Sequence, residues 1–426
     1  MVKRGLLLAL ILLSFWRSYP SPDEPAIFDS SRAYGRGVLK RQGVPVLYLR
    51  GSPYEMGYQQ GVLLRQEILG RLESLYWELA SNPLPLPLLL QEARLVEIPE
   101  EFKEEMVGLA QGAGVSYTDI LLLNSWPQLV AQPYSDEALN GLLTTFQPWF
   151  PPHLETRTLF STPDEPASRW LSFSPGATFA LFGEATKSGN LFHGVEGDMA
   201  LEGILLILYE PEAGNAFVSL AGPGAVGVNM GLNEEKISVA YLDVPSLDSS
   251  LRGVPLPFVL RQTLQYSGDL PQALRIIASA PRSGGANVVI GDGKPASAAA
   301  LELSLHRHAL FEPQDDYVVR TSHFLASSLS AFQEEGDISA SEEWYSLWEE
   351  MIRRRYGLLD LEKTLFLLSH QCEIGGGRCY PKKAEDEEMM LGAVMAASDL
   401  ELWVVSLDPS GAIKKWGFNL LEELEH

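Results

Sequence analysis

Cysteine is scarce in this chain. Cys372 and Cys379 are the only two among 426 residues. That excludes a disulfide-stapled scaffold, which spreads several bridges over a short chain. The pair either closes the Gly-rich loop between them or stays as two thiols, because spacing does not fix sulfur geometry. Neither cysteine forms a recognised zinc spacing with the nearest histidine, His370, so no metal and no cofactor are expected. Basic charge is also short: 32 Lys and Arg stand against 55 Asp and Glu, a net charge of −23. A phosphate backbone would be repelled, so nucleic acid is not an expected partner. The chain lacks a phosphate loop, a dinucleotide fingerprint and a G-x-S-x-G nucleophile elbow. Long apolar runs are missing beyond the N-terminus. There, a basic Met1–Arg4 precedes Gly5–Trp16, the length of a signal-peptide core rather than of a bilayer span. Residues 1–24 are expected to be a signal peptide or N-terminal anchor and 25–40 a linker. The protein is accordingly expected to be exported, extracellular or periplasmic, with no integral membrane domain beyond that anchor.

What is present is a large apolar fraction, 46%, enough for a sizeable core. Val44–Leu49 reads as a strand. Ser52 and Glu55 then form a capping box with Pro53 at the first helical position, opening a helix to about Ala80. Gly57 and Gly61 fall on one face of it, where another element can approach closely. Further helices are expected over Glu100–Ala113 and Ser116–Trp126, the second stopped by Pro127. Asn124 follows the apolar run Ile120–Leu123 and reads as a buried amide satisfying backbone groups. The stretch 133–174 lacks periodicity and reads as a loop. Pro175–Met199 reads as a β-hairpin turning at Lys187–Asn190. Strands follow at 203–209, 216–220 and 237–242, then helices at 257–266 and 269–280, the latter capped by Asp269 and Gln272. Strands return at 286–290 and 298–304, and again near 402–406. Arg261 either pairs a buried carboxylate or lies at the surface. Asn287 and Asp292 read as edge and turn formers. Arg353–Arg355 reads as a solvated helix face. Helices, strands, a helix pair and more strands suit an α+β sandwich with helices covering two sheets.

The hairpin carries a resemblance. Phe179-Ala180, Gly183-Glu184-Ala185-Thr186, Gly189, His193-Gly194 and Asp198 fit the pattern Cys-(Ser/Thr)-(Ser/Thr)-Phe-Ala, then Gly-x-Ala-Thr-x-x-Gly, then His-Gly-Arg-Asn-x-Asp. This is similar to the nucleophile segment of the acyl-coenzyme A:6-aminopenicillanate acyltransferase family, the C45 autoproteolytic amide hydrolases and acyltransferases. Further matches run in order: Tyr54-Glu-x-Gly57 with Gly61, Gly231-Leu-Asn233, Pro257–Arg261, Pro281-Arg282, Val289–Gly293 and Thr321-Ser-His-Phe324. The resemblance implies an N-terminal-nucleophile hydrolase αββα four-layer sandwich in one domain over 41–426. In it, 41–175 corresponds to the α segment and 176–426 to the β segment.

In that family the resemblance implies a Cys that cuts the peptide bond before itself. The Cys then attacks an acyl–amine bond, with its new α-amino group as base. Here the Cys position is Gly176, which has no side chain. Ser174 and Thr178 lie two residues away, on the same face of an extended strand, and are the candidate replacement nucleophiles. Asp198 is the candidate site carboxylate. Ser322 stands where an Asn is common, as a hydroxyl donor, and Val195-Glu196 stands where Arg-Asn is common. Asn233, His193 and His323 are candidate binding residues, the two histidines with structural roles as the alternative. The expected activity is hydrolysis or transfer at an acyl-amine or acyl-amino-acid bond of a small substrate. The alternative is a family member that binds an acylated ligand without turning it over.

Overall fold

The structure, a computed structural model, describes residues 37–40, 43–81, 92–130, 175–200, 203–313, 315–334, 336, 338–369 and 389–425. The N-terminal apolar segment, the stretch 133–174 that reads as a loop in the sequence, Ser174, His370, Cys372 and Cys379 lie outside the described residues. So does the side chain of Asp198, although its backbone belongs to a strand.

In chain order the elements are β1 (Val38–Lys40), β2 (Val46–Gly51), α1 (Pro53–Leu63), α2 (Arg65–Ser81), α3 (Glu100–Ala113), α4 (Tyr117–Val130), β3 (Pro175–Gly183), β4 (Gly189–Ala200), β5 (Leu205–Pro211), β6 (Phe217–Ala221), β7 (Met230–Asn233) and β8 (Ile237–Asp243). Then come α5 (Leu256–Tyr266), α6 (Leu270–Ser279), β9 (Ala286–Asp292), β10 (Ser297–Leu303), β11 (His308–Phe311), β12 (Tyr317–Arg320) and α7 (Ser327–Ser330). The last are α8 (Ser339–Arg353), α9 (Leu361–Ser369), β13 (Met389–Ala396), β14 (Glu401–Leu407), β15 (Ile413–Asn419) and α10 (Leu420–Leu424).

The strands form two sheets, ordered β1-β2-β5-β6-β7-β8-β9-β10-β11 and β12-β3-β4-β13-β14-β15. Period-two burial explains how they stack. Ala180, Phe182, Leu191 and Val195 of one sheet meet Leu206, Leu208, Val218, Val289 and Ala300 of the other. Phe179, Leu181 and Phe192 point the opposite way, onto Trp348, Met351, Ile352, Leu365 and Leu368 of α8 and α9. The outer face of the larger sheet carries Phe217, Val239 and Ile290 against Met56, Phe102, Leu109, Trp126, Phe258 and Ile277 from the first six helices. Three cores between four layers make the αββα sandwich.

The capping box forms as read: the Ser52 hydroxyl and N–H meet the Glu55 carboxylate, and the Glu55 N–H returns to Ser52. Such a cap is worth about 1 kcal/mol. Gly57 and Gly61 let α1 cross α3 at backbone distance. A Cβ at Gly57 would lie 1.9 Å from the Glu105 carbonyl oxygen. The sequence expected one helix to Ala80; the chain breaks it at Leu64 into α1 and α2. Pro127 does not stop α4, which continues to Val130. Proline forfeits one hydrogen bond, while Trp126 and Leu129 on the same helix are fully buried and hold it in place. Arg261 pairs a buried carboxylate: its Nη1 and Nη2 reach Glu105 at 2.9 and 2.6 Å, and Nη1 also donates to Val226 O. Asn124 donates to Ile120 O and Gly224 O and accepts from Val226 N, the backbone role expected of it. No single described helix is long and apolar enough to cross a membrane.

Candidate functional site

The hairpin β3–β4 places Gly176, the residue that stands where the resembled family has its Cys. Pro175 pairs with Gly197 and Ala177 with Glu196, so Gly176 is the extra residue of a bulge. The bulge turns residue 176 towards α8. A Cβ there would stand 2.3 Å from Glu196 Oε2 and 3.0 Å from Trp344 Nε1. The Glu196 carboxylate is itself buried and accepts a 2.7 Å hydrogen bond from the Trp344 indole. The space next to the missing side chain is therefore filled by a pinned carboxylate.

Thr178 points the other way, into the core between the sheets, and is fully buried. Its hydroxyl donates to Gly194 O at 3.2 Å and lies 3.2 Å from His193 Nε2. His193 Nδ1 is 3.0 Å from Ser238 Oγ on the opposite sheet. One proton assignment satisfies every group: Thr178 donates to the carbonyl, Nε2–H donates to Thr178, and Ser238 donates to Nδ1. Burial pushes the His193 imidazole down to about 3, so it stays neutral. This chain of bonds ties the two sheets together. In it the imidazole gives a proton to Thr178, the reverse of what a base does for a nucleophile.

Asn233 is equally committed. Its Nδ2 donates to Leu264 O and Ser267 O, and its Oδ1 accepts from Ile237 N, which pins α5 to the outer face of the larger sheet. Asn287 is not an edge or turn former. It is fully buried, and its Nδ2 donates at 2.7 Å to both Thr321 O and His323 O. It holds the loop after β12, which follows directly on the pairing of Arg320 with Thr178. Asp292 keeps the turn role, accepting from Leu270 N and Lys294 N.

That loop carries Thr321, Ser322 and His323. Ser322 is half-buried. His323 is buried, its ring edge-on to Tyr345 at 6.0 Å. Its Nδ1 lies 2.8 Å from Ser341 Oγ and 3.1 Å from Thr321 Oγ1. The Thr321 hydroxyl donates to Ser341 O. Burial lowers the His323 pKa, the Glu342 carboxylate opposes this, and the Arg320 guanidinium adds to the lowering. Behind the loop, the buried Glu302 carboxylate accepts from Leu325 N and Ala326 N and faces Arg320 Nε at 3.2 Å. The structure thus gathers Gly176, Glu196 and Trp344, and separately His323, Thr321 and Ser341, with α8 contributing to both groups. Thr178 and His193 belong to the inter-sheet core instead, and Asn233 to the helix layer. Trp344, Ser341 and Tyr345 carry no motif in the sequence. Only Glu196 left a trace, as a departure from the Arg-Asn pattern.

The family model described as acyl-coenzyme A:6-aminopenicillanic acid acyl-transferase matches residues 199–352. Over that segment the chain is similar to this family. An uncharacterized protein of Archaeoglobus fulgidus is 27% identical over 85% of this chain, and the protein dcd1B of Dictyostelium discoideum 24% identical over 70%. The chain spans 63% and 59% of the lengths of these two relatives. Among solved structures, a conjugated bile acid hydrolase variant from Clostridium perfringens is 14% identical with a TM-score of 0.38, covering 57% of this chain and 97% of its own. Penicillin V acylase from Agrobacterium tumefaciens is 10% identical with a TM-score of 0.33, covering 57% and 84%.

Proposed function

We propose that this C45-like protein is an exported amide hydrolase or acyltransferase for small acyl-amine or acyl-amino-acid substrates, using a serine or threonine hydroxyl in place of the family's thiol. The observation that carries this reading is the acyl-transferase family match over residues 199–352, the part of the chain that supplies the loop after β12 and most of α8. Export rests on the N-terminal basic and apolar pattern. One observation favours a second reading, reversible binding of an acylated ligand. Gly176 offers no attacking atom, and the pinned Glu196 carboxylate stands beside it.

The test is a panel of N-acyl amines and N-acyl amino acids, with released amine measured by mass spectrometry. Intact mass and N-terminal sequencing of the exported protein accompany it. Amine release supports the enzyme. A new N-terminus at Ser174 or Thr178 assigns that residue as an autoprocessed nucleophile. Saturable binding without amine release leaves the binding protein and overturns the enzyme.

A further inference from the structure

The geometry points to Ser341 as the nucleophile of this site and His323 as its base, a pair that forms without cleavage of the chain. The proposal rests on the amide-hydrolase reading above and names the residues that would perform it.

Ser341 sits in the first turn of α8 and is half-buried, so its hydroxyl lies at the margin of the core rather than inside it. Its Oγ is 2.8 Å from His323 Nδ1, within the range needed for proton transfer. The polarity is right as well. The Thr321 proton is committed to Ser341 O, so the Ser341 hydroxyl is the group left to donate to Nδ1. The His323 ring is held from two sides: the Tyr345 ring packs edge-on against it, and Asn287 clamps the His323 carbonyl. The groups that bear on its charge are Glu342 and Arg320, with burial acting in the same direction as Arg320. A neutral imidazole is the form a base requires. Trp344, three residues further along the same helix, reaches Glu196 beside Gly176. Residues three apart lie on one helix face about one turn apart, so Ser341 and Trp344 share a face of α8.

The step balances as ordinary acyl transfer. Ser341 Oγ bonds to the acyl carbon and its proton passes to His323 Nδ1. The carbon–nitrogen bond breaks and the proton goes to the departing amine, leaving an acyl ester on Ser341. Water then attacks that ester, gives its proton to Nδ1, and the proton returns to Ser341 Oγ as the carboxylic acid leaves.

The experiment uses the full chain and a fluorophosphonate probe, which exchanges its fluoride for an activated serine oxygen. Intact mass and peptide mapping read the adduct, alongside amine release from the N-acyl panel. The expected result is one phosphonyl adduct on Ser341 of an uncut chain. Labelling should accelerate as pH rises through the titration of His323, and His323→Gln should flatten that profile. Ser341→Ala should abolish labelling and lower amine release by about a hundredfold or more, while Ser341→Cys should restore reactivity towards a thiol-directed acylating probe. Amine release that survives Ser341→Ala, or an adduct mapped to Ser174 or Thr178, overturns the Ser341 assignment and leaves the amide hydrolase standing. An adduct on Ser341 without amine release from any N-acyl substrate overturns the amide reading and leaves the reactive serine. Absence of any adduct overturns the assignment as well.

Discussion

Two histidines in this protein each meet a side-chain hydroxyl, and their surroundings differ. His193 faces Thr178 at 3.2 Å and Ser238 at 3.0 Å, wholly inside the dry layer between the sheets. His323 faces Ser341 at 2.8 Å, where the loop after β12 meets the first turn of α8. Both pairs contain the groups of a nucleophile and a base. In the first, Thr178 has spent its proton on Gly194 O and the imidazole is neutral because burial forbids its charge. In the second, the hydroxyl belongs to a half-buried residue and its proton is directed at the ring. Direction of the proton and access to solvent, more than residue type, separate a structural bridge from a reactive pair.

The largest way to sharpen this contrast is Ser341→Ala, expected to cut amide turnover by about a hundredfold or more with little change in unfolding midpoint. Next is His193→Ala, which removes the ring that bridges Thr178 and Ser238, leaving Thr178 only its bond to Gly194 O, and opens a void between the sheets. It should cost about 2–4 kcal/mol in a urea titration. The same residue gives a pH signature. Its folded-state value of about 3 lies below the ordinary 6.5, so between these values the unfolded chain binds the extra proton. The stability this difference contributes is fully present above about 6.5 and is lost as pH falls towards about 3. Urea midpoints across that window should fall in the wild type and flatten in a His193→Leu variant; parallel profiles would remove His193 from the account.

Smaller is Gly176→Cys. The new Cβ displaces the Glu196 carboxylate from the Trp344 indole, at a cost of about 1–2 kcal/mol. A shift in tryptophan emission, absent from a Trp344→Phe background, should report it. Smallest is Thr178→Val, which removes one buried hydroxyl and should cost about 1 kcal/mol while amide turnover stays at the wild-type level. A loss of turnover there would break the contrast and return the nucleophile to β3.

Much of the frame was written locally. The Ser52–Glu55 cap, the β3–β4 hairpin and the Asp269 cap on α6 each depend on residues near one another in the chain. Their geometry follows from short-range hydrogen bonds and steric room. The short strands β7, β11 and β12 were not legible, because pairing with distant partners makes them strands.

The candidate site was legible only at one end. The sequence showed that Gly176 lacks a nucleophile. It did not show that a bulge turns residue 176 towards α8, that Thr178 is sealed between the sheets, or that Asn287 clamps the loop bearing His323. Whether Arg261 finds a carboxylate was likewise open until α3 and α5 were packed together. The sequence by itself determined the layers, through apolar periodicity and caps, and that residue 176 carries no side chain. Tertiary structure alone decided which hydroxyl meets which imidazole. Those contacts join segments far apart in the chain, and their reactivity depends on burial and proton direction, which no run of neighbouring residues encodes.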